Sequence, residues 1–191
     1  MADGIATRIA ACLAAIDAAN AHDPDTSTGA PAALLYGQRM SAELARLFPG
    51  ASEPLQIAAR GQHIERWVLN RRDYPQGRAA YLAWRTDLAK HHAARVGEIM
   101  AGAGYGPQEV AAAQKMLRKE GIKRDPDVQA LEDVICFTFL KWYFAPFAAK
   151  QDAEKLDRIV ARTARKMSPE ARARALREFD LPEGFAAHFR S

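Results

Sequence analysis

Apolar residues recur at steps of three and four along most of the chain, and no stretch shows the strict alternation of a half-buried strand. Ile5, Ile9, Leu13 and Ile16 set this rhythm at the start, and "AHDPDTSTGAP" breaks it. The pattern predicts helices over 5–20, 33–48, 53–69, 78–101 and 107–120. Beyond these, Asp125-Pro126 opens a helix reaching about residue 146, and two more cover 151–166 and 169–179. Ser52 and Ser168 stand where N-caps belong, and "GAGYG" at 102–106 closes the fourth helix. The loop at 22–31 and the tail beyond Asp180 carry no clear periodicity.

Composition agrees with that reading. Alanine is prominent and β-branched residues are sparse, so the fold class is all-α. A chain of 191 residues with 49% hydrophobic content suffices for one core, which predicts a single helical domain over 1–191. The longest apolar run, at 134–149, is interrupted by Lys141 and Pro146 and reads as a core helix, not a membrane span. The N-terminal stretch, with Asp3, lacks the basic start and small-residue cleavage site of a secretory signal, so a cytoplasmic location is expected. Cys12 and Cys136 are far apart in apolar stretches and read as small buried hydrophobes. A net charge of +4 allows nucleic-acid binding without indicating it.

Some polar residues fall where apolar ones are expected. His92 shares a helical stripe with Leu88, Val96 and Ile99, whereas His91 turns to the solvated side. His63 sits at the edge of the face bearing Ala59 and Trp67, and Glu132 and Asp133 sit on an apolar core helix. Carboxylates at such positions are costly to bury without cations or donors. His63, His92 and Glu132 together could ligate one divalent transition metal, zinc, manganese or iron, with Glu132 or Asp133 as catalytic groups. The alternative is that each histidine is only hydrogen-bonded and the acids pair with arginines.

Those arginines cluster. Arg66, Arg71, Arg72, Arg78 and Arg85 interleave with Trp67, Tyr74, Tyr81 and Trp84. Guanidinium forks clamp phosphate or carboxylate and stack on aromatic rings, so Arg66, Arg78, Arg85, Tyr81 and Trp84 are candidate contacts for an anionic small molecule. A structural network of arginine–carboxylate pairs remains the alternative. Tyr36 and Arg39 could complete the site from the second helix. Lys155, Arg158, Arg162 and Arg165 form a basic stripe, continued by Lys166, Arg172, Arg174 and Arg177, that would meet nucleic acid or be a solvated face. No glycine-rich phosphate loop and no nucleophile elbow occurs.

The blocks "IDAANAHDPDT", "LLYGQRMSAEL", "AARGQHIERW", "YPQGRAAYLAWR", "HHAARVGEIMAGAGY", "LEDVICFTFL" and "RTARKMS" occur in this order. They resemble family 4202 of the domains of unknown function. That layout is in turn similar to the HD-domain phosphohydrolases, helical proteins whose metal ligands are a histidine, a His-Asp doublet and a later aspartate. The resemblance implies an HD-like fold, with His63 at the doublet and Glu132 or Asp133 at the last ligand. The chain departs from it where Ile64 follows His63 and where Gln38 and Arg39 stand in place of the first histidine.

Two functions follow as expectations. One is a metal-dependent hydrolase of a phosphorylated small molecule or nucleotide, using His63, His92, Glu132 and Asp133 with Arg66, Arg78 and Arg85 on the phosphate. The other is a non-catalytic binding or scaffold protein that holds an anionic ligand or acidic partner through its arginines.

Overall fold

Ser52 accepts the Leu55 amide at 3.4 Å, Asp125 accepts those of Asp127 and Val128 at 3.0 and 3.2 Å, and Ser168 accepts that of Ala171 at 3.1 Å. Side-chain caps therefore start three of the helices where the sequence places them. A computed structural model describes residues 2–190, with side chains described from residue 8 onward, so the apolar position Ile5 and the charge at Asp3 lie outside the described side chains. Ten α-helices and no strand occur among the described residues, as the all-α reading requires. No helix among them is long and apolar enough to cross a membrane.

The chain divides into two compact units, Met1–Glu120 and Gly121–Ser191. The first holds α1 (Ala2–Asn20), α2 (Ala32–Leu47), α3 (Glu53–Arg60), α4 (Arg78–Gly102) and α5 (Pro107–Leu117). Helix α5 packs on α3 and α4, and α1 lies against α2, α3 and α4. Ile16, Met40, Leu55, Ile57, Ile64, Val96 and Met100 are almost fully buried and form its core. Arg60 clasps Asp17 with two hydrogen bonds of 2.6 and 2.5 Å, tying α3 to α1.

The third helix is shorter than its periodicity predicts. It ends at Arg60, not residue 69, and His63 lies in the following turn, not on the helix. A Cβ at Gly61 would stand 2.4 Å from Val96 Cγ2, so only glycine lets the chain pass this close to α4. Asn20, fully buried, then accepts the Glu65 amide at 3.0 Å and holds Glu65 in the left-handed region at φ 49°. A tertiary hydrogen bond has displaced the helical one.

The fifth helix also stops early, at Leu117 instead of residue 120. Lys119 adopts φ 60° and donates its amide to Met116 O, while the Glu120 amide reaches Lys115 O. This is a Schellman ending whose usual glycine is replaced by lysine.

The second unit holds α6 (Pro126–Thr138), a π-helical turn (Phe139–Tyr143), α7 (Phe144–Ala148), α8 (Ala153–Lys166), α9 (Pro169–Glu178) and α10 (Glu183–Arg190). The core helix thus ends at Thr138, and Pro146 falls within α7 instead of terminating the segment. The tail beyond Asp180, without periodicity in the sequence, forms α10, whose Ala186 and Phe189 are buried as it packs on α8 and α9. Only Val160 and Ala164 of α8 are buried, and its basic residues Lys155, Arg158, Arg162, Arg165 and Lys166 remain exposed. Cys12 and Cys136 are buried in the first and second unit respectively, with Sγ atoms 3.9 Å from Ile99 O and 3.8 Å from Thr163 O.

Candidate functional site

Three segments of the first unit converge on one cavity of about 560 Å³. The turn after α3 brings Gln62, His63 and Arg66, α4 brings Leu82, Arg85 and His92, and the end of α5 brings Arg118, Lys119 and Glu120. His92 reaches it because the Leu88–His92–Val96 stripe faces inward, leaving the imidazole 4% exposed. His63 lies flat on Tyr36, with ring centroids 3.8 Å apart and planes 14° from parallel, and its centroid is 6.0 Å from that of His92.

Burial, Arg66, and then the flanking charges hold both imidazoles neutral. The pKa of His92 falls to about 3 through loss of solvation, reinforced by Arg66, His91 and Arg85. That of His63 falls well below its ordinary value through enclosure first, then Arg66, His92, Arg85 and Lys119. His92 Nε2 and Gln62 Oε1 are buried and make no hydrogen bond to another protein group. Such atoms cost about 1–3 kcal/mol each when left unmatched, and both belong to residues that line the cavity.

The arginines of the cluster separate into different roles. Arg66 and Arg85 line the cavity and have no carboxylate partner among the described residues. The Arg66 guanidinium lies 4.9 Å from the centroid of the Trp84 ring, and burial and Arg85 both lower its pKa. Arg71 instead donates to the carbonyls of Tyr74 and Pro75, both at 2.9 Å, and Arg72 and Arg78 are exposed away from the cavity. Arg118 is paired with Glu120 at 2.7 Å. Two arginines of the cluster thus line the cavity, and among the described residues none of Arg66, Arg71, Arg72, Arg78 and Arg85 is paired with a carboxylate.

Trp84 is buried and donates its indole N–H to Leu69 O at 2.9 Å, which fixes the platform under Arg66. Tyr81 is 43% exposed beside it and does not line the cavity. His91 is half-buried, not fully solvated, with Nε2 3.6 Å from the Glu65 carboxylate that Arg95 clamps at 2.7 and 3.1 Å. Neither Arg39 nor Tyr36 lines the cavity, and Tyr36 backs it by stacking on His63 and acting electrostatically on Arg66.

Glu132 and Asp133 belong to the second unit. Asp133 accepts the Ser168 amide at 2.8 Å, its hydroxyl at 2.7 Å and the Gln129 amide at 2.9 Å. Burial nevertheless raises its pKa. Glu132 is 1% exposed, with Lys166 Nζ 3.4 Å away. Among the described residues, no group of three or more His, Cys, Asp or Glu side chains is placed to hold a metal ion.

Gln62, Lys90, Arg118 and Lys119 were not legible as site residues. Gln62 and Lys119 reach the cavity through turns whose left-handed residues no local pattern marks, and nothing but helical phase distinguishes Lys90 from any exposed lysine.

Residues 10–187 match the family described as "Domain of unknown function (DUF4202)". The chain belongs to this family. No curated protein and no solved structure matches it. Every residue lining the cavity falls within the portion matched to DUF4202.

Proposed function

We propose that this DUF4202 protein binds a phosphate-bearing small molecule in the cavity of its first unit. The observation that carries the reading is the pair Arg66 and Arg85, lining the cavity without a carboxylate partner. Elsewhere in the unit, Arg8, Arg60 and Arg95 are each paired with acids. Two forked cations with Lys119 beside them suit a dianion, and neutral imidazole and amide groups add hydrogen bonds without further like-charge repulsion. A volume of about 560 Å³ accommodates a metabolite-sized ester.

The same charges weigh against a zinc, manganese or iron ion on His63 and His92, because a divalent cation would meet the repulsion from Arg66 and Arg85 that adds to burial in keeping those rings neutral. Hydrolysis of the bound ester is a finer version of the proposal, with a neutral His63 or His92 as the proton acceptor, though their lowered pKa makes both weak bases. The likeness to HD-domain phosphohydrolases belongs with that version.

Titration calorimetry with inorganic phosphate and phosphate monoesters tests the reading. Arg66→Gln and Arg85→Gln should each weaken binding by about tenfold or more, as loss of a charged hydrogen bond worth about 1.5–3 kcal/mol implies. Absence of phosphate binding by the wild type at millimolar concentration sinks it. Release of inorganic phosphate from a bound ester separates the hydrolytic version from binding alone.

A further inference from the structure

Toward its start, next to the residues that line the cavity, α4 presents an exposed face of mixed character. Arg78, Tyr81, Leu82 and Arg85 recur at steps of three and four, share one face and are all exposed. Leu82 is 52% exposed and lines the cavity, and Tyr81 is 43% exposed one turn from Arg85. Val68, 56% exposed, ends the short 3-10 turn that begins at Arg66. Apolar side chains thus stay open to water beside the unpaired guanidinium groups, on the segments that carry them. The Tyr81 phenol is close enough to interact electrostatically with Arg66.

A phosphate group alone is far smaller than a cavity of about 560 Å³, so the ligand brings a body as well. We propose that this body is a flat aromatic ring system, its phosphate at Arg66, Arg85 and His92 and its ring against Leu82 and Tyr81. The inference rests on the phosphate reading and names the ligand class within it. A polyhydroxylated sugar would press hydroxyls against the Leu82 side chain and the Tyr81 ring face, which offer less to replace their water than they offer to a flat apolar ring. A ring system instead buries those side chains, stacks on the tyrosine and presents its edge or face to Arg85.

Calorimetry on the full chain with inorganic phosphate, glucose 6-phosphate, decyl phosphate and 1-naphthyl phosphate tests this. The expected result is that 1-naphthyl phosphate binds about tenfold tighter than glucose 6-phosphate and tighter than decyl phosphate. Tyr81→Ala and Leu82→Ala should shrink the preference over the sugar phosphate to below about twofold, and Tyr81→Phe should keep it. Both residues are exposed, so loss of the fold does not confuse the comparison. Equal affinity for the aromatic and sugar esters, an equal or greater affinity for the alkyl ester, or a preference untouched by both alanine variants overturns the inference while leaving phosphate binding intact. Failure of all four probes, inorganic phosphate included, overturns the phosphate reading and this inference with it.

Discussion

His63 stacks face to face on Tyr36 at 3.8 Å between centroids, and this contact fixes a residue that no helix holds. The imidazole is therefore positioned by tertiary contact on one side and by the turn from Gly61 to Arg66 on the other. Its orientation toward His92 depends on both.

Neutral histidines make stability depend on pH. The ordinary pKa is 6.5 and that of His92 in the fold is about 3, so the unfolded chain binds more protons between these values. The stability that the neutral ring contributes is present above about pH 6.5 and is lost as pH falls toward 3, at about 1.4 kcal/mol per pH unit. His63 shifts in the same direction and adds to the loss. Urea unfolding followed at several pH values should show a falling midpoint below about pH 6, and His92→Gln should flatten the slope. A profile identical in the variant would show that His92 does not titrate this way.

Lys119 holds a left-handed conformation that glycine adopts freely. Lys119→Gly should raise stability by about 1 kcal/mol while weakening phosphate binding several-fold, because strain and charge sit in one residue. Thermal melts and calorimetry on the same sample read both effects. A variant that is more stable and binds equally well would remove Lys119 from the site.

Asn20 reaches the site from α1 through one hydrogen bond to the Glu65 amide. Asn20→Ala leaves that amide unmatched and should cost about 1–3 kcal/mol, with a further loss of phosphate affinity because His63 and Arg66 depend on the same turn. Hydrogen exchange at the Glu65 amide should accelerate selectively. Unchanged exchange there would mean that the turn holds without Asn20.

Asp133 joins the start of α9 to α6 through Ser168. Asp133→Ala should lower stability by about 2–4 kcal/mol, seen as a drop in Tm of several degrees. A fall in phosphate-ester turnover without any change in Tm would return Asp133 to a catalytic role.

Local signals made much of the fold legible. The three-and-four periodicity and its breaks marked eight helices, one of them running α6 into α7, and Ser52, Asp125 and Ser168 marked starts, because caps and amphipathic faces are read within a turn or two. The short α10 escaped, since a helix of two turns packs through few residues. In the site, His92 was legible from its stripe, and Arg66 and Arg85 from chemistry and clustering. Which arginines were paired was not, because the partners of Arg60 and Arg95 lie 43 and 30 residues away.

The sequence by itself determined an all-helical chain, the inward face of α4 with His92, and an arginine-rich segment before it. The tertiary structure decided that α3 breaks at Gly61, that Asn20 and Tyr36 set His63 and its turn, and that Lys119 bends into the cavity with Arg66 and Arg85. The physical reason is range. Helical phase is set by neighbours three or four residues apart, whereas these turns exchange a local hydrogen bond for one to a residue far away in the chain, and only the packed fold makes that exchange favourable.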